Sequence, residues 1–399
     1  MNTNFLRGLI LTCLIVFVLQ PLSFAQKQEN NQSALIDTTP FYSSTHHWYD
    51  IHDKSNIINP KTNQPKYRAA EISKIADNIL IYQRNDGGWP KNYDMQAILT
   101  VDQKDSLINT KADDHTTFDN TTTYSHIEYL AQAYTITGNE KYKDACLKGI
   151  DFTLAAQYPN GGWPQYYPLE DNYSRCITFN DGVFTGIMTM LKNIIDRKPY
   201  YSFVDDARLS KIKTAFDKGL GCILKCQIYE NGRLTVWGQQ HNEITLEPAW
   251  ARAFEPPCIC NLESADLVLF LMSLDNPNQQ LINSIQGAVK WFNDSKILGT
   301  RVKVISAPDL VSQWRTSKTD RIVVHDPAAP PIWTRYYELK TEKPLFCDRN
   351  SKFLYSLSDV SRERRSGYNW YTYNPQQVLD SYPEWQKKWA PGKNVLNAN

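Results

Sequence analysis

Gln83-Arg84-Asn85-Asp86-Gly87-Gly88-Trp89-Pro90 returns as Gln157-Tyr158-Pro159-Asn160-Gly161-Gly162-Trp163-Pro164, and a degenerate third copy runs from Gln227 through Asn231-Gly232 to Trp237. A spacing of roughly 70 residues exceeds the common solenoid periods and suits a helix pair with a long loop. Apolar residues at helical spacing lead into the copies: Ile72, Ile75, Ala76, Ile79 and Leu80 before the first, and Ile212, Ala215, Leu220 and Leu224 before the third. Gly-Gly is expected to stop each helix. Helical spacing resumes after each loop, with Ile127, Leu130, Ala131 and Tyr134, then Val183, Phe184, Ile187, Leu191 and Ile194, then Leu262, Ala265, Leu267 and Leu269. If alternate helices run antiparallel, every long loop opens on one face. The fold expected is mainly α: an incomplete α/α toroid, a barrel of antiparallel helix pairs, with some short β structure and a cleft on the long-loop face.

Arg7, an apolar run from Leu9 to Leu22 and Ser23-Phe24-Ala25 read as a signal peptide over residues 1–25, which places the mature protein outside the cytoplasm, secreted or periplasmic. Residues 26–66 are polar and read as an extended leader that wraps or frays. Residues 67–399 form one catalytic domain. No later stretch is apolar enough to span a bilayer. Basic and acidic residues nearly cancel, 43 against 42, so no global field recruits nucleic acid. A monomer is expected. Beyond the signal peptide the chain keeps Cys146, Cys176, Cys222, Cys226, Cys258, Cys260 and Cys347, an odd number that leaves at least one thiol without an intramolecular partner. No His cluster at zinc spacing accompanies them.

Three polar clusters precede the returning helices: Thr117-Phe118-Asp119-Asn120-Thr121-Thr122, Phe179-Asn180-Asp181-Gly182 and Pro248-Ala249-Trp250-Ala251-Arg252. Asp119 and Asp181 read either as helix N-caps or as a carboxylate pair that needs a cation between them, and hard oxygen ligands favour calcium. Trp89, Trp163 and Tyr368 are among many aromatics in loops. They suit either flat contact with sugar rings or a packing role in which the indoles plug the repeat. Downstream, Arg321 and Arg335 stand in a Pro- and aromatic-rich stretch, as carboxylate forks or as loop ties.

From about residue 67 to 389 the chain resembles the family 10 polysaccharide lyases, which are pectate lyases with a toroid-like α/α fold. The resemblance rests on Gln83 to Asn92, Phe118 to Thr123, Phe179 to Val183, Pro248 to Glu255, and Asp320-Arg321 with Thr334-Arg335-Tyr336, all in order. It implies calcium-assisted β-elimination of polygalacturonate. Asp119 and Asp181 would hold the metal, Arg252 would abstract the C5 proton, and Arg321 and Arg335 would bind uronate carboxylates. Lys91, Trp89, Trp163 and Tyr368 complete the expected substrate contacts. The chain departs from the family pattern at Thr121, where a small residue such as glycine is expected. The rivals are a metal-independent glycoside hydrolase using Asp119 and Asp181 as acid and base, and a pectin-binding protein that does not cut. A toroidal terpene cyclase lacks its acidic initiating motif here.

Overall fold

The computed structural model describes residues 35–50, 56–313 and 315–397. The signal peptide and the start of the leader lie outside the described residues. Eleven helices occur among the described residues: α1 (Tyr42–Asp50), α2 (Ile72–Tyr82), α3 (Val101–Asn109), α4 (Tyr124–Thr137), α5 (Glu140–Ala155), α6 (Val183–Ile195), α7 (Asp206–Cys226), α8 (Asn261–Met272), α9 (Gln279–Ser295), α10 (Arg362–Gly367) and α11 (Asn374–Trp389). They build two layers. One holds α2, α5, α7 and α9 side by side, the other α4, α6, α8 and α11, and α4–α5, α6–α7 and α8–α9 pair across the layers. The apolar stripes read from the sequence meet between them: Ile75, Ile79, Ile127, Leu130, Ile187, Leu191, Ile212, Ala265 and Val289 are all fully buried or nearly so. Short turns follow α4, α6 and α8, whereas long loops follow α2, α5 and α7.

The repeat is a lock between neighbouring helices. Gln83 Nε2 donates to Gly87 O (3.0 Å) and to Ala145 O of α5 (2.9 Å). Gln157 bonds Gly161 O (3.0 Å) and Ala215 O of α7 (2.8 Å), and Gln227 bonds Thr235 O (2.8 Å) and Ser284 O of α9 (2.9 Å). Each tryptophan points inward. Trp89, Trp163 and Trp237 donate Nε1–H to Ile79, Thr153 and Ile223 carbonyls at 2.8, 2.9 and 2.7 Å, and all three are 0 % exposed. Trp89 and Trp163 are therefore core plugs and make no substrate contact, because an indole enclosed on all sides has no face to offer. Gly-Gly does not end the helix, as α2 stops at Tyr82 where Gln83 turns to ψ 132°. Gly87 instead takes φ +101°, and a Cβ there would come within 2.5 Å of Lys148 O, so the glycine permits the loop to touch α5.

Of the two readings of the leader, its described part follows the wrapping one: Phe41 and Trp48 are 3 % and 2 % exposed, and Trp48 Nε1 donates to Ile58 O at 2.8 Å. The compact unit begins at Leu35, because a few aromatic anchors suffice to dock an otherwise polar segment. The β structure is not all short. Thr300–Val311 and Thr316–His325 form a long antiparallel hairpin, favoured by the β-branched run Ile322-Val323-Val324. All seven cysteines among the described residues are buried free thiols.

Candidate active site

The tryptophan carbonyl of each repeat also sets where the next polar cluster begins. Trp89 O, Trp163 O and Trp237 O accept from the amides of Thr117, Thr178 and Cys260 at 3.0, 3.0 and 2.8 Å. In this register Asp119 matches Asn180, and Asp181 matches Asn120. The two aspartates are thus one residue out of step rather than equivalent. Asn120 and Asp181 share a left-handed backbone, φ 51° and 50°, which Asn and Asp tolerate better than other side chains. Thr121 is also left-handed at φ 62°. That is the position where glycine was expected, and for a β-branched residue the conformation costs ~1–2 kcal/mol.

Neither aspartate caps a helix through its side chain. Asp119, 3 % exposed, accepts from Lys91 Nζ at 2.7 Å through Oδ2, while its buried Oδ1 has no close hydrogen bond, with the Gln165 side chain near enough to favour the charged carboxylate. Burial alone would raise its pKa, but the Lys91 charge and hydrogen bond outweigh it and bring the carboxyl down to about 2. Asp181 accepts from Asn180 Nδ2 at 2.7 Å. Desolvation in the crowded loop cluster and the Asp119 charge push its carboxyl up to about 7, against the pull of Arg335 and Arg252. Its outer surface is open to solvent, so water relieves part of that repulsion.

The turns that carry Asp119 and Asp181 pack against each other, and the Arg252 charge draws both carboxyls downward. The Arg252 side chain is 47 % exposed and forks onto Glu255, Nε to Oε2 at 2.7 Å and Nη2 to Oε1 at 2.5 Å. Burial loosens the guanidinium's hold on its proton, yet the Glu255 carboxylate more than reverses this and holds the group well above its ordinary value. Glu255 itself is buried and also accepts from Gln239 Nε2 (2.9 Å) and Tyr368 Oη (3.0 Å). In the sequence Glu255 stands only as the end of the Pro248 to Glu255 motif. The structure makes it the group that aims Arg252.

The remaining expected contacts divide. Arg335 is buried against Glu263 and donates to Asn180 Oδ1 at 3.0 Å, with its guanidinium 4.6 Å over the Tyr368 ring. Its hydrogen bond therefore reaches the Asn180–Asp181 turn rather than open cleft. Tyr368 is a core residue whose hydroxyl meets Tyr336 Oη at 2.6 Å. Its role as a surface contact is corrected accordingly. Arg321 donates to Tyr368 O at 2.6 Å and faces a cavity of about 190 Å³ lined by Val302, Asn369, Trp370 and Tyr371. Glu263 was missed from sequence. A charged residue on the buried stripe of α8 was the available signal.

No group of three or more His, Cys, Asp or Glu side chains placed to hold a metal occurs among the described residues. Asp119 and Asp181 can offer two carboxylates, and Asp119 Oδ1, which has no close hydrogen bond, is a hard acceptor suited to an oxygen-seeking cation. No helix among the described residues is long and apolar enough to cross a membrane.

A sequence profile of the pectic acid lyase family matches residues 83–379. A solved structure of a family 10 polysaccharide lyase from Cellvibrio cellulosa is 30 % identical over 78 % of this chain and 91 % of its own, with a TM-score of 0.68. A point mutant of a family 10 polysaccharide lyase from Cellvibrio cellulosa, in complex with trigalacturonic acid, gives 29 % identity, 78 % and 92 % coverage and the same TM-score. No curated protein sequence matches the chain.

Proposed function

Since the chain belongs to the pectic acid lyase family and is a polysaccharide lyase, we propose that it is an exported, monomeric pectate lyase that cleaves polygalacturonate by calcium-assisted β-elimination. The observation that carries this reading is the half-exposed Arg252, forked onto buried Glu255, in a fold that packs the Asp119 and Asp181 turns against each other. Asp119 and Asp181 would hold calcium, which when bound supplies charge neutralisation to the uronate carboxylate and to the negative charge that develops beside C5. Lys91 holds Asp119 ionised at every working pH. Glu255 fixes the Arg252 fork, so that one guanidinium edge is positioned toward substrate.

Arg252 in its neutral form takes the C5 proton and becomes the guanidinium, the C5–H electron pair forms the C4–C5 double bond, and the C4–O bond breaks with its electrons passing to the leaving oxygen. Water protonates that oxygen. A guanidinium held well above its ordinary value by Glu255 is rarely neutral near pH 7, so the rate should climb through the alkaline range. Arg321, facing an aromatic-lined cavity, is proposed as a uronate contact. Arg335 contributes by holding Asn180.

One ionised and one raised carboxyl are also what an acid–base hydrolase would use. The product separates the two. Elimination leaves a 4,5-unsaturated uronide that absorbs in the ultraviolet, and hydrolysis does not. Incubation of purified protein with polygalacturonate should generate absorbance that a chelator abolishes and added calcium restores. Reducing ends without absorbance would replace elimination by hydrolysis, and full activity after exhaustive chelation would remove the metal.

A further inference from the structure

The loop that carries Asp119 holds three residues in a left-handed backbone. Asn120, Thr121 and Thr123 all have positive φ, and two of the three are β-branched. The turn has bonds of its own, Thr122 N–H to Asp119 O at 2.9 Å and Thr123 Oγ1 to Thr117 O at 2.7 Å, and a second set reaches it from outside. Thr121 Oγ1 donates to Pro40 O as well as lying 2.6 Å from Asn120 O, and Ser43 Oγ donates to Asn120 Oδ1 at 3.4 Å. Asn120 Nδ2 in turn donates to Asn92 Oδ1 at 2.8 Å, and the neighbouring Tyr93 amide donates to Ser44 Oγ at 2.9 Å. The segment that makes these contacts is itself anchored: the Phe41 ring packs 5.3 Å from His126 and 5.5 Å from Tyr129, and Trp48 is buried. This segment precedes residues 83–379, the stretch the family profile matches.

We propose that residues 38–50, centred on α1, are a clamp that stabilises the left-handed Asn120–Thr121 turn and so sets the place of the Asp119 carboxylate, with Thr121 and Ser43 as positioning residues. The glycine expected at position 121 would adopt that backbone unaided. Threonine cannot do so cheaply, but its hydroxyl supplies a tether that glycine lacks. Strain and clamp thus belong together: the chain tolerates an unfavourable residue at the turn because a second segment holds it there.

The inference rests on the lyase reading for its kinetic arm only. The full-length protein would be compared as wild type, Ser43→Ala, Thr121→Val, which keeps the β-branch and removes the tether, and Thr121→Gly, which removes both tether and strain. Two measurements are made: amide hydrogen exchange over residues 118–124, and kcat and KM on polygalacturonate at saturating calcium. Thr121→Val should speed exchange in that loop by about tenfold or more while distant helices keep their protection. Its kcat should fall by about tenfold or more with KM little changed, since displacement of a catalytic group by about 1 Å costs as much as 10²-fold. Ser43→Ala, the mildest change, should shift both readouts the same way by a smaller factor. Thr121→Gly should recover kcat. Unchanged exchange and a kcat within about twofold of wild type in Thr121→Val would overturn the clamp, as would a glycine variant no better than valine. If the wild type forms no unsaturated product, the lyase reading fails, and the exchange measurement still decides the clamp.

Discussion

Replacing Glu255 by glutamine removes one charge from beneath Arg252 while keeping the size of the side chain and partners for Gln239 and Tyr368. The carboxylate stabilises the cationic guanidinium, so its loss must lower the proton affinity of Arg252. Two unit charges ~4 Å apart interact by about 1 kcal/mol in bulk water and about 4 kcal/mol at an effective dielectric of 20. Arg252 is 47 % exposed, which argues for the lower half of that range, about 1–2 kcal/mol once solvent screening is allowed for. At 1.36 kcal/mol per pH unit this is a shift of about one unit. If Arg252 is the base, the alkaline rise of kcat/KM in Glu255→Gln should be displaced toward lower pH by about that amount. The assay is initial ultraviolet absorbance on polygalacturonate across pH 7 to about 11 in calcium-containing buffers, with folding checked by circular dichroism at each pH. A rise that stays where it is, or moves to higher pH, would refute Arg252 as the group that loses the proton.

Glu255 should also mark the acid limb of stability. Its carboxyl is brought from 4.5 down to about 2, burial opposing and Arg252 favouring the charged form; a depressed carboxyl stabilises the fold above its unfolded pKa and loses that contribution as pH falls from about 4.5 to 2. After discounting for the exposed arginine this is worth about 2 kcal/mol, so urea unfolding of wild type should weaken over that window, and Glu255→Gln should flatten it. Trp163→Phe should cost about 1 kcal/mol or more of stability through the lost bond to Thr153 O, with KM unchanged; a raised KM would return Trp163 to the substrate cleft. Arg335→Lys should destabilise the protein by more than 1 kcal/mol, because a buried fork onto Glu263 and Asn180 has no lysine equivalent, and a melting temperature equal to wild type would contradict its buried role.

The helices were legible because burial on one face imposes a 3.6-residue period, and residues such as Ile75 and Ile79 or Ile187 and Leu191 keep it without interruption. The repeat was legible too, and of the two roles open to its tryptophans the structure selects the plug. Trp89 fits a sugar contact as well as a plug until its partner, the Ile79 carbonyl, is known, and only the folded backbone brings Ala145 to Gln83. The one-residue offset between Asp119 and Asp181 escaped because Asp-Asn and Asn-Asp are chemically alike in sequence, and the register is set by amides of Thr117 and Thr178. Arg252 was singled out, yet its dependence on Glu255 is a matter of side-chain aim. Glu263 and Arg335 lie 72 residues apart in sequence, a pairing that no local pattern records.

The three tryptophan carbonyls have a bearing on how such an enzyme changes its specificity. Each closes a loop with a single backbone bond, from Trp89 to Thr117, Trp163 to Thr178 and Trp237 to Cys260, and these loops differ in length although their ends are held alike. The scaffold therefore behaves like a socket with fixed terminals: what is threaded between a tryptophan and the start of the following helix can be lengthened, shortened or exchanged while the helices receive the same entry and exit bonds. Long insertions between fixed ends add only slowly to the entropic cost of closure. New pocket walls can then be tried on this frame one loop at a time, with the neighbouring helix pairs left as they are.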